Sequence, residues 1–134
     1  MDLNQQWQAG GFGMFPILML LLAAGPAALV TLGLGVAPKL AKVAVVVSTV
    51  TVALGLLAAG FGVIGYLDGV RGTERAVAHV SPEDRQSILS AGEAESSIAL
   101  RFGLLVGFPT MAVGAAVFAV GLQRLKRASL PPVA

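Results

Sequence analysis

The chain has 134 residues, 56% of them hydrophobic and only 12% charged, with a formal net charge of +2 and no cysteine. So much apolar sequence cannot be enclosed by one soluble core of this size, and the missing thiols exclude disulfides, thiol catalysis and cysteine-ligated metal. The small basic excess lies in turns and tail, where it orients a membrane protein, so a nucleic-acid partner is not expected.

Three apolar runs set the class: residues 14–36, 43–67 and 98–122. A helix of about 20 apolar residues spans the ~30 Å hydrocarbon core. None of the runs alternates as a barrel strand does, so helices are the way to satisfy the backbone in lipid. The expected fold is all-α: a three-pass transmembrane helical protein. Residues 1–134 form a single membrane domain, because no stretch outside the runs can build a second core.

The head, Met1–Gly13, carries Asp2 but no Lys or Arg. A secretory signal needs a basic start, so the first run is expected to stay in the mature protein. Trp7 and Phe12 precede helix one at positions suited to the headgroup layer. Pro16 falls in its first turn, Pro26 should kink it mid-span, and Ala37-Pro38 ends it. The turn Pro38–Lys42 is so short that helices one and two must be antiparallel neighbours.

Helix two opens with β-branched residues from Val45 to Val52. It then turns small at Gly55, Ala58, Ala59, Gly62 and Gly65. Residues 68–97 read as an outer loop containing a short helix at about 82–89. Ser81 supplies its N-cap, Pro82 its first position and Glu83 and Asp84 its first turn. Gly92 is a natural interruption before helix three. That helix repeats the small-residue pattern at Ala99, Gly103, Gly107, Gly114 and Gly121, which lets membrane helices approach closely.

Residues 123–134 form a basic tail. The turn and tail hold Lys39, Lys42, Arg124, Lys126 and Arg127, against Arg71, Arg75 and Arg85 in the longer loop. The Lys/Arg bias places turn and tail in the cytoplasm, with head and loop outside.

Candidates for chemistry are few. His79 stands alone in a polar loop, and a metal site needs several convergent ligands, so neither metal nor cofactor is expected. No nucleophile–base pair, phosphate loop or intramembrane acid is present, so the chain is not expected to be an enzyme. Arg101 is the one charge inside a span. It either snorkels to the headgroups or meets an acid at a subunit interface. Glu95 and Glu93 are the candidate acids. Six residues separate Arg101 from Glu95, too many to align on one helix, so a neighbouring copy's Glu95 would be a better partner than its own. Ser48, Thr49, Thr51 and Thr110 can each bond to a carbonyl one turn back.

Several motifs together resemble the MotA/TolQ/ExbB proton-channel family. Gly10-Gly11-Phe12-Gly13-Met14-Phe15-Pro16-Ile17-Leu18 is similar to the family's first-helix signature, and Leu54-Gly55-Leu56-Leu57 with Gly62 to its second. Gly92-Glu93-Ala94-Glu95, running into Gly103-Leu104-Leu105-Val106-Gly107-Phe108-Pro109, matches the spacing of its third.

The resemblance covers about two-thirds of the chain. It implies an inner-membrane homo-oligomeric ring, five copies in the family, around single-helix ExbD/TolR/MotB-like partners, coupling ion flow to an envelope transport or motor complex. Helices two and three would surround the lumen, with Glu95 at the family's third-helix glutamate. Glu95, Arg101, Ala59, Leu100, Thr51 and Thr110 are then the lumen or interface candidates. Gly55, Gly62, Gly103, Gly107 and Pro109 are the packing positions.

The chain departs from the family at three points. Ala59 and Leu100 stand where the family has lumen threonines, Arg101 replaces a small neutral residue, and the large cytoplasmic region shrinks to Pro38–Lys42. A non-conducting scaffold of the same ancestry is therefore an alternative, and a holin-like pore former another.

Overall fold

A computed structural model describes residues 14–129 of the chain. Trp7, Phe12, the Gly10–Gly13 motif and the last five residues of the tail lie outside the described residues. Within them the order is helix α1 (Met14–Val36), a 3-10 turn (Pro38–Leu40), helix α2 (Ala41–Val77) and helix α3 (Pro82–Ser129). All three helices are long and apolar enough to cross a membrane. Their outward surfaces carry exposed Leu, Val, Ile and Phe, including Leu22, Leu29, Leu56, Ile64, Leu105 and Phe108. Burying such side chains in water-soluble form would need a second shell of protein; lipid tails supply it instead.

α1 runs as one helix through Pro26. Proline removes one internal hydrogen bond there, but the rest of the ladder holds the helix together. The face that α1 turns inward is narrow: Ile17, Ala24 and Thr31 are buried, seven residues apart. A seven-residue spacing keeps one stripe against a neighbouring helix with a slight left-handed wrap.

The second and third helices differ from the sequence expectation in length. α2 does not stop at residue 67, and α3 does not start at 98: they run 37 and 48 residues, roughly 55 and 70 Å. What reads as an outer loop over 68–97 is the far end of a helical hairpin, closed by the short link from Ala78 to Ser81. The short helix expected at 82–89 is the first part of α3, and Gly92 does not interrupt it. Helix also continues through the basic tail to Ser129.

The physical reason is that hydropathy marks where lipid lies, not where a helix ends. The polar segments are rich in Ala, Glu and Arg, which favour helix in water as well. At the start of α3, Pro82 is the first helical residue and Glu83 and Asp84 occupy the first turn, as their types suggest. The Ser81 carbonyl accepts the Asp84 and Arg85 amides, while its hydroxyl donates to the Asp84 carboxylate instead of accepting an amide.

α2 and α3 form the core. Buried positions on α2 are Ala41, Ala44, Ser48, Thr51, Gly55, Ala58 and Gly62, alternating steps of three and four. On α3 they include Ser96, Ala99, Gly103, Val106, Gly107, Thr110, Gly114, Val117 and Gly121. This is a heptad stripe with small residues where a water-soluble coiled coil has leucine.

The antiparallel rungs keep one register from tip to base. A methyl on Gly103 would lie 2.6 Å from the Gly62 Cα, and one on Gly107 would lie 2.6 Å from the Gly55 carbonyl oxygen. Further along, Gly114 faces Val52 and Ser48, and Gly121 faces Val45. Towards the tip, Gly69 sits against Ser96 and Gly92 against Thr73. Gly103→Val should therefore force the backbones apart and cost about 2 kcal/mol or more, read as a lower unfolding temperature in detergent. Gly60→Ala, with nothing within 4 Å of the added methyl, should be neutral or slightly stabilising. Equal effects of the two substitutions would refute this packing.

Candidate functional site

Four of the five packing residues expected from the sequence lie in one seam. Gly55, Gly62, Gly103 and Gly107 are buried where α2 crosses α3, so their small size is used within one chain. Pro109 is exposed and points away from that seam. Ala59 is half-buried, and its Cβ would lie 3.0 Å from a methyl placed on Gly107. Leu100 is also half-buried, with its carbonyl against Gly62. Both positions thus contribute to helix contact, and neither brings a polar side chain to it.

The hydroxyls are satisfied locally. Ser48 and Thr49 donate to the Val45 carbonyl, and Thr110 donates to Val106 at 2.7 Å. Thr51 does more than the sequence suggests. Its hydroxyl lies 2.7 Å from that of Thr31 on α1, and both side chains are 0% exposed.

Thr31 and Thr51 also reach the carbonyls of Ala27 and Val47, at 2.7 and 3.0 Å. Two hydroxyl protons cannot make all three bonds at once. Either Thr51 donates to Thr31, which donates to Ala27, or the direction reverses and the chain ends at Val47. This is the side-chain bond that ties α1 to the hairpin inside the apolar layer. A lone threonine among Leu and Val gives a sequence reader no sign of its partner 20 residues away.

A second tie lies at the basic end. Arg124 of α3 donates from Nη1 to the Gly35 carbonyl at 2.7 Å. That carbonyl belongs to the last turn of α1, where helix geometry leaves acceptors without internal donors and favours a cation. The basic tail thus supplies a cap for α1.

Glu95 and Arg101 are both exposed. Among the described residues the charged side chains that make hydrogen bonds are Asp84 and Arg124, so the structure does not join Glu95 to Arg101. Glu95 borders a shallow groove on the projecting hairpin with Thr73, Ala76 and Gly92. Arg101 falls between the Gly62–Gly103 and Gly69–Ser96 rungs, as does Tyr66, whose amphipathic ring suits the interface. His79 is exposed near the hairpin tip, and among the described residues no group of three His, Asp or Glu side chains gathers to hold a metal.

The architecture is that of a three-pass helical membrane protein. No family model, curated protein or solved structure matches the chain.

The threonine pair gives a direct test. In a double-mutant cycle of Thr31→Val and Thr51→Val, unfolding in detergent should show a coupling of about 0.6 kcal/mol, up to about 1.7. Zero coupling would mean each hydroxyl is served by its own carbonyl alone.

Proposed function

We propose that this chain is a non-enzymatic, self-associating subunit of the bacterial inner membrane, a reduced form of the MotA/TolQ/ExbB type. It forms a homo-oligomeric ring around a single-helix membrane partner and couples ion flow to an envelope transport or motor complex. The head and hairpin tip face outward and the basic tail faces the cytoplasm.

The observation that carries this reading is Arg101. It lies within the apolar stretch of α3, exposed on the surface of the single chain. A cation at that depth is costly unless it reaches the headgroups or meets an acid, and an exposed Glu95 on an adjacent copy supplies the acid. The ordered motifs of the three helices add the resemblance to the ring-forming family.

A specific observation favours the second reading, a scaffold that does not conduct. Ala59 and Leu100 occupy the helix seam without hydroxyls, and Thr51 and Thr110 are buried with local acceptors. A lumen needs polar groups free to hold water and pass protons.

Arg101→Leu should lower the oligomer's resistance to dissociation in detergent while leaving helical content unchanged; an unaltered oligomer assigns Arg101 to lipid. With its partner in liposomes, proton flux abolished by Glu95→Gln would support the channel, and no flux would leave the scaffold. A strictly monomeric protein with no co-purifying single-helix partner would reject both.

The orientation has its own test, made clean by the absence of native cysteine. A cysteine at Ser87 should react with an impermeant thiol reagent in intact cells, and one at Ser129 only after permeabilisation. Equal labelling of both positions would overturn the topology.

A further inference from the structure

The charges of this chain are sorted along its length. No Asp or Glu occurs between Met14 and Leu67 or anywhere after Glu95. The acids of the described residues therefore belong to the hairpin, and the opposite end holds only cations: Lys39, Lys42, Arg124, Lys126 and Arg127.

Three of these cations border one groove. It lies between the 3-10 turn with the start of α2 on one side and the end of α3 on the other, with a volume of about 410 Å³. Lys39, Lys42 and Arg124 give it positive charge, and Leu40, Leu125 and Ala128 give it an apolar wall. Arg124 is held in place by its bond to the Gly35 carbonyl. The guanidinium carries five N–H donors, so one bond to a carbonyl leaves others for a ligand.

We infer that this groove binds the phosphate headgroup of an anionic phospholipid. The chemistry fits an amphiphile: clustered ammonium and guanidinium groups meet a phosphate, and the adjoining apolar wall meets glycerol and the first acyl carbons. Position along the molecule selects lipid over a soluble anion. The groove begins where the exposed apolar side chains of α1 and α2 end, next to Val36 and Val43, which face outward at the last and first turns of those helices. Among the described residues no Asp or Glu side chain competes for the cations at this end. The volume lies in the range of sites that take small organic ligands, enough for a headgroup. The inference concerns the single chain in its membrane and stands whether or not a ring forms.

The test uses the full-length protein, delipidated in a neutral detergent. Phosphatidylglycerol, phosphatidylcholine and inorganic phosphate are added in separate titrations, with the unfolding temperature and native-mass adducts as readouts. Phosphatidylglycerol should bind and raise the unfolding temperature, while phosphatidylcholine should do neither. Lys39→Gln with Lys42→Gln should weaken phosphatidylglycerol binding roughly tenfold or more. Lys126→Gln with Arg127→Gln removes the same charge from outside the groove and should weaken it far less.

All four lysine and arginine side chains changed in these variants are exposed, so circular dichroism of each should show the helix retained. Equal losses in the two double variants would reduce the effect to general surface charge and overturn the site. Inorganic phosphate that stabilises as well as phosphatidylglycerol would assign the groove to a free anion and overturn the lipid. No preference for phosphatidylglycerol over phosphatidylcholine would overturn it as well.

Discussion

The close approach of two backbones, α2 against α3, is the constraint on which the rest of this molecule depends. In lipid, apolar side chains gain nothing by leaving the solvent, because the solvent is itself apolar. Association must come from dispersion and polar contacts, both of which fall steeply with distance. Removing the side chains from the contact line lets the main chains supply those contacts. At the Gly62–Gly103 and Gly55–Gly107 crossings there is no room for even one methyl group. Displaced outward, the larger side chains of the same helices become the lipid-facing surface.

The same pairing explains why the hairpin projects beyond the apolar layer. Its register is already fixed inside the membrane, so the helices leave it side by side and at contact distance. Gly69 against Ser96 and Thr73 against Gly92 continue the seam with hydroxyl-bearing residues. Those hydroxyls return to their own helices, Thr73 to the Gly69 carbonyl and Ser96 to Gly92. Along the whole seam, small side chains and hydroxyls bonded within the chain leave room for the close approach. α1 is attached differently, through a narrow inward stripe, the buried Thr31–Thr51 pair and the Arg124 cap. It is a flank on the close-packed hairpin.

Function in such a protein resides in what the hairpin leaves unused. The buried polar groups are occupied: Thr31, Thr51, Ser48, Ser96 and Thr110 all have partners within the chain. Acids among the described residues occur only on the projecting hairpin, mixed there with Arg71, Arg75 and Arg85, while the charged side chains at the other boundary are all cations. Arg101 belongs to neither group, a cation within the apolar stretch near the hairpin end. A molecule with a closed interior and polarised ends is suited to acting through its outer surfaces.

Composition and pattern alone determined the class, the number of passes and the small-residue stripes. These follow from transfer of side chains into lipid and from helix periodicity, which are properties of the local sequence. Pro82, Glu83 and Asp84 likewise mark the start of α3, because capping chemistry is local. The helix lengths were not legible, since the polar stretches 68–77 and 82–97 are helical for reasons hydropathy does not measure. The bonds that hold α1 in place were invisible as well: Thr31 to Thr51 spans 20 residues and Arg124 to Gly35 spans 89. Only the tertiary structure could decide those, because a hydrogen bond between distant residues exists once packing has set their separation, and no single side chain encodes its partner's position.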